Sequence, residues 1–136
     1  MAAIAPLDFY ADAGLVSRLP AQLDMLVTAP NGSVDVSFYV GSPAAAGVFK
    51  STADPAAEIE VSLTPSAEVL ATEVRLALAQ ADLDAATPGG ALALGTSISA
   101  GQAVQVWLRF TDSSGQSGVY SGAKLALTPT SYYASA

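Results

Sequence analysis

The chain of 136 residues contains no cysteine and no histidine, and only 12% of it is Asp, Glu, Lys or Arg. Each absence closes a class of chemistry. Without cysteine there is no disulfide framework, thiolate nucleophile, Cys-ligated zinc or iron–sulfur cluster, and cysteine usage says nothing of the redox compartment. Without histidine the chain lacks the commonest general base near neutral pH and the commonest nitrogen ligand for metals. A Ser-His-Asp or Cys-His site cannot be assembled from it. Cations are scarce as well: five Lys and Arg against twelve Asp and Glu give a formal charge of −7. Such a chain cannot neutralise a run of phosphates, which argues against nucleic acid and against anionic membranes as partners. Soluble domains usually carry about a quarter charged residues, so half that amount leaves little ionic side chain to coat a free-standing surface.

Long apolar runs are missing too. The start, Met1-Ala2-Ala3-Ile4-Ala5-Pro6-Leu7-Asp8, has no basic segment and no extended apolar stretch of the secretory kind. Mean hydropathy is positive, +0.43, because alanine is mixed with Val and Leu in short alternating runs. None approaches the ~20 apolar residues of a membrane-spanning helix. The expectation is a soluble chain, made and first folded in the cytoplasm. A chain of this length buries roughly 70% of its unfolded surface, enough for one sizeable core. No linker, charge block or long repeat marks a second unit, so residues 1–136 read as one domain.

What the sequence does hold is regular punctuation. Pro20, Pro30-Asn31-Gly32, Gly41-Ser42-Pro43, Asp54-Pro55, Thr64-Pro65, Pro88-Gly89-Gly90, Gly101, Ser113-Ser114-Gly115, Gly122 and Pro129 recur at the spacing of an all-β sandwich or barrel. Between them apolar residues alternate with period two, one face of a pleated strand. Val34, Val36, Phe38 and Val40 oppose Asp35, Ser37 and Tyr39; Ile59, Val61 and Leu63 oppose Glu58, Glu60 and Ser62. Leu23, Met25 and Val27 oppose Gln22, Asp24 and Leu26; Val104, Val106, Leu108 and Phe110 oppose Gln105, Trp107, Arg109 and Thr111. The first set of each strand is the expected core. The expected fold is a single antiparallel β-sandwich, immunoglobulin-like or jelly-roll-like, with about seven or eight short strands and at most one short helical turn.

Three Leu-Ala-Leu tripeptides, at 76–78, 92–94 and 125–127, read as further strands with leucines inward and alanine outward. Outward alanine is a poor strand residue unless another surface comes close, and an alanine-rich composition explains it equally well. Residues 66–86 admit a helix, with Leu70, Val74, Ala77, Leu78 and Ala81 on one helical face. Val74, Leu76 and Leu78 also alternate, and the neighbouring segments are strands, so the expectation is a strand over 73–79. A short helical turn through Asp82-Leu83-Asp84-Ala85-Ala86 follows, ended by Pro88-Gly89-Gly90.

Carboxylates are the only acid–base equipment left. Glu58 and Glu60 lie two apart on one strand face, adjacent but without the facing cleft of a glycosidase. Asp82-x-Asp84 with Thr87 offers oxygen ligands but lacks the repeat, glycine and terminal Glu of a calcium loop. Gly115-Gln116-Ser117-Gly118 lacks a nucleophile-elbow spacing, and Asp112-Ser113-Ser114-Gly115 reads as a hairpin loop. No phosphate-binding loop string occurs. No catalytic residue, cofactor or metal is expected.

Aromatic residues carry the remaining signal. Tyr39 and Trp107 fall on the non-core faces of their strands, where they serve a sugar-stacking platform, a protein interface, or packing beneath a loop. At the ends, Ile4, Leu7, Phe9 and Tyr10 and then Thr130-Ser131-Tyr132-Tyr133 are apolar or aromatic where free tails are small and polar. Residues 1–10 and 128–136 therefore either dock as edge strands on their own sandwich or cross to a neighbour as arms. Phe9, Tyr10, Tyr39, Trp107, Tyr132 and Tyr133 are the candidate interface residues.

The run Glu73-Val74-Arg75-Leu76-Ala77-Leu78-Ala79, the turn and strand Ala81-Asp82-Leu83-Asp84-Ala85-Ala86-Thr87-Pro88-Gly89-Gly90-Ala91-Leu92-Ala93-Leu94-Gly95-Thr96, and the strand Ala103-Val104-Gln105-Val106-Trp107-Leu108-Arg109-Phe110 resemble small all-β virion proteins of tailed bacteriophages. The opening Pro6-Leu7-Asp8-Phe9-Tyr10 is similar to their start, and about half the chain takes part. The resemblance implies a non-enzymatic structural protein of the virion, assembled in the host cytoplasm, that binds capsid or tail subunits and copies of itself. Its place would be capsid decoration or cement, or a tail or baseplate accessory. The matching motifs are turn and strand residues, so no functional residue carries over. A carbohydrate-binding adhesion module using Trp107 and Tyr39 is the alternative.

Overall fold

The computed structural model describes residues 5–19, 23–28, 32–52, 56–112 and 118–133. Eleven strands follow in chain order: β1 (Asp8–Tyr10), β2 (Leu23–Val27), β3 (Ser33–Gly41), β4 (Val48–Ser51), β5 (Glu60–Thr64), β6 (Val74–Ala77), β7 (Leu92–Ala93), β8 (Ile98–Ser99), β9 (Val104–Thr111), β10 (Gly118–Leu127) and β11 (Thr130–Tyr133). Two 3-10 turns, Ala71–Glu73 and Gln80–Ala85, flank β6. Eleven strands among the described residues exceed the seven or eight expected. Several strands are only two to four residues long, below what periodicity can register.

All pairings are antiparallel, in three sheets: β1-β3-β9-β6, β2-β10-β5-β7 and β11-β4-β8. The longest ladder joins β3 to β9, from Ser33 opposite Thr111 to Val40 opposite Val104. Its alternation works as the sequence demands. Phe38, Val40, Val106, Leu108 and Phe110 are buried, and Val34, Val36 and Val104 pack against them. Met25, Val27, Ile59 and Val61 are buried from the second sheet's side, while Phe49 and Ile98 bring the third sheet into the same core. The Phe110 and Tyr120 rings, 5.0 Å apart, link the first two sheets. Glu58, Glu60 and Ser62 face outward as expected.

One bulge shapes the second sheet. The β10 register shifts between Tyr120 and Ala123, around Gly122 at φ +96°, where a side chain would press on Ser66. Bulges re-aim a strand, and here the first half of β10 pairs with β2 and the second half with β5.

The helix-former-rich stretch after Pro65 does not become a helix. Ser66 Oγ accepts the Val69 N–H, and the Glu73 carboxylate accepts the Leu70 N–H, closing a single capped turn. The chain then extends as β6, because β9 supplies a ladder and the core takes Val74 and Leu76. The strand is shorter than the expected 73–79, and the leucine pattern breaks: Leu76 is buried, Leu78 is half exposed and Ala77 is buried. Leu92, Leu94, Leu125 and Leu127 do pack inward. The turns expected around Pro20, at Asp54-Pro55 and at Ser113-Ser114-Gly115 lie outside the described residues.

Candidate functional site

The outer face of the first sheet gathers the residues with chemistry. In register, Tyr39 lies opposite Gln105, Ser37 opposite Trp107, Asp35 opposite Arg109, and Arg75 opposite Arg109 on the other side. Their inward neighbours Phe38, Val106, Leu108 and Leu76 fill the core, so alternation turns all of these outward. Tyr39 and Trp107 are therefore diagonal neighbours on one surface.

Both ends of this surface are covered by the chain itself. At one end Tyr10 sits opposite Tyr39 but is buried, because residues 9–11 pair back with 17–19: the Ala11 N–H donates to Ser17 O at 2.7 Å and the Leu19 N–H to Phe9 O at 3.0 Å. Asp12 closes this loop by accepting the Val16 and Ser17 N–H groups. Leu15, buried at φ +58°, fills the space a Gly41 side chain would need. At the other end the Gln80–Ala85 turn packs on β6 and β9 and lays a fully buried Leu83 there, beside buried Ala77. Tyr10, Leu15, Ala77 and Leu83 are buried outside the main core cluster. They mark two small overlays, with half-buried Ser37, Tyr39 and Trp107 and exposed Gln105 left between them.

An ion-pair network pins the second overlay. Arg75 and Arg109 stand directly opposite each other, an arrangement that repels unless both charges are answered. Arg109 donates Nε to Asp35 Oδ1 at 2.7 Å and Nη2 to Asp35 Oδ2 at 3.1 Å, a two-pronged contact, and its Nη1 reaches Asp84. Arg75 Nη1 donates to the Asp84 carbonyl at 2.9 Å, and the Gln80 amide donates to Asp35 Oδ2 at 3.1 Å. Hydrogen bonding from Arg109 lowers the Asp35 pKa against the opposing effect of desolvation, and the same bonds raise that of Arg109. The acidic Asp82-Leu83-Asp84 string is thereby explained: its leucine covers the sheet, and Asp84 answers an arginine. Among the described residues no group of three or more His, Cys, Asp or Glu could hold a metal ion.

The candidate interface residues fall in different surroundings. Phe9 is half-buried, edge-on to Phe38 at 5.7 Å. Tyr10 is covered by the 11–17 loop. Tyr132, in β11, is edge-on to Phe49 at 5.4 Å, overlies Gly47 and donates its hydroxyl to the Ala46 carbonyl. Tyr133 is exposed, with Lys50 Nζ 5.7 Å from its ring centre. Of these residues Tyr39 and Trp107 share the part of the first sheet's outer face that lies between the overlays. The described parts of both terminal segments are strands in the chain's own sheets, β1 on β3 and β11 on β4.

Sequence reasoning missed the Asp35–Arg109–Asp84 network, although Asp35 and Arg109 already stood on outward faces of two expected strands. It also missed a second surface. On the outer side of the second sheet Leu26 and Val119 lie directly opposite each other and are 57% and 60% exposed. Exposed Asp24, Thr28 and Lys124 surround them on the same two strands or at their ends. Comparison with family models, with curated proteins and with solved structures finds no match to this chain.

Proposed function

We propose that the chain is a non-enzymatic structural protein of a tailed-phage virion, binding other virion subunits and copies of itself as a capsid decoration or cement protein, or as a tail or baseplate accessory. In this reading it is made and assembled in the host cytoplasm. The first two sheets are the layers of one antiparallel β-sandwich of the immunoglobulin-like or jelly-roll-like kind. The observation that carries the proposal is the exposed Leu26–Val119 pair. Apolar side chains set in a polar rim mark surfaces that a partner covers, and the low charge of the chain, 12% in all, fits a surface shared with neighbours. The strand resemblance to virion proteins supports the same reading.

Gold-labelled antibody against the chain, applied to purified particles of the phage that encodes it, tests the proposal. Label on capsid or tail is expected, and particles without label overturn it. A Leu26→Asp, Val119→Asp double variant should melt as the wild type does yet be depleted from particles. Undiminished incorporation would remove this pair as the docking surface.

A further inference from the structure

We infer that the strip between the two overlays, floored by Tyr39, Trp107, Ser37 and Gln105, binds a neutral oligosaccharide of pyranose rings. The inference is independent of the virion reading. Four features of the strip converge on that chemistry. Tyr39 and Trp107 come from adjacent strands and sit diagonally across the ladder, because Tyr39 opposes Gln105 and Trp107 opposes Ser37. Both are half-buried on one surface, and the apolar face of a sugar ring packs on aromatic rings. Between them stand a carboxamide and a hydroxyl, Gln105 and Ser37, which donate and accept as sugar hydroxyls do.

The strip is bounded at both ends. Leu15 lies beside Gly41 at one end, and the Gln80–Ala85 turn with buried Leu83 packs on β6 and β9 at the other. From Gln105 to Trp107 the β9 strand advances about 7 Å, enough for one to two pyranose rings.

Charge selects among glycans. Arg109, the cation bordering Trp107 along β9, is already held by Asp35 and Asp84, and Arg75 beyond it is held by main-chain carbonyls. Within a chain of formal charge −7 nothing in the strip is left to neutralise a carboxylated or sulfated sugar, so the fitting ligand carries no net negative charge. A polypeptide partner on the same face is the rival occupant, and it would not show saturable binding of free sugars.

Trp107 is the chain's only tryptophan, so its emission reports this strip and nothing else. The purified chain is titrated into the millimolar range with cellohexaose, chitohexaose, maltohexaose, mannohexaose and xylohexaose, with heparin as the anionic control. A saturable change with at least one neutral hexasaccharide and none with heparin is expected. Gln105→Ala, at an exposed position, should keep the wild-type circular dichroism spectrum and weaken binding roughly tenfold, the loss of one hydrogen-bonded amide. Tyr39→Phe should bind nearly as the wild type and Tyr39→Ala should not. Silence towards the whole neutral series, a response to heparin alone, or binding undiminished by Gln105→Ala overturns the inference. None of these results depends on whether particles carry the protein.

Discussion

Leu83→Ala separates this fold from a surface turn that merely lies near the sheet. Leu83 is fully buried, yet it belongs to a 3-10 turn of six residues and lies outside the main core cluster. Removing three carbons costs about 2.4 kcal/mol in transfer free energy alone. Leucine-to-alanine changes at buried sites reach about 2.7–5 kcal/mol once the residual cavity is included. The turn can settle partly onto the sheet, but Arg109 to Asp84 and Arg75 to the Leu83 and Asp84 carbonyls hold it at its present height. A loss of about 3 kcal/mol is therefore expected, seen as a lower guanidinium midpoint with an unchanged slope and a melting temperature lower by about 10 °C. Leu78→Ala, five residues earlier and half exposed, is the internal control and should stay within about 0.5 kcal/mol of wild type. If Leu83→Ala is as mild as Leu78→Ala, the overlay does not pack as described. If Leu78→Ala is the costly change, Leu76 and Leu78 face the way the sequence alone suggested.

Gly47 combines φ +107° with the Tyr132 ring and hydroxyl standing where a Cβ would go. Gly47→Ala should therefore destabilise by roughly 2 kcal/mol and raise amide exchange first in β11, whose Tyr132 has to move; unchanged exchange there would refute the contact. Asp35 has a lower pKa folded than unfolded, so the folded state binds fewer protons at this site. Its contribution to stability is complete above the unfolded value of about 3.9 and is lost as pH falls through the lowered folded value. Asp35→Asn should flatten that acid limb of a stability–pH curve, and an unaltered limb would show that the Arg109 pairing contributes nothing there.

Much of the core was legible in advance because strand alternation is local: a residue and its second neighbour share a face whatever else the chain does. That is why Phe38 and Val40, Ile59 and Val61, Met25 and Val27, and Val106, Leu108 and Phe110 are buried as their patterns require. The same argument fails at Leu76-Ala77-Leu78, where the strand ends after Ala77 and the overlay, rather than the alternation, decides that alanine is buried and Leu78 is not. It fails for the third sheet, whose β8 of two residues is too short to carry a period. For the aromatic residues the sequence fixes only the side of the strand. Tyr10 and Tyr39 are opposite each other on one face, yet one is buried by a loop that folds back over it and the other borders an open strip.

Composition by itself determined which groups this protein lacks: it has no thiol, no imidazole and only five Lys and Arg. Periodicity determined that it is all-β and which side chains turn inward, since both follow from backbone geometry within a few residues. Only the tertiary structure decided which outward residues are covered. Whether Tyr10, Trp107 or Leu26 meets solvent depends on loops and strands distant in the chain, and no short-range pattern encodes their arrival.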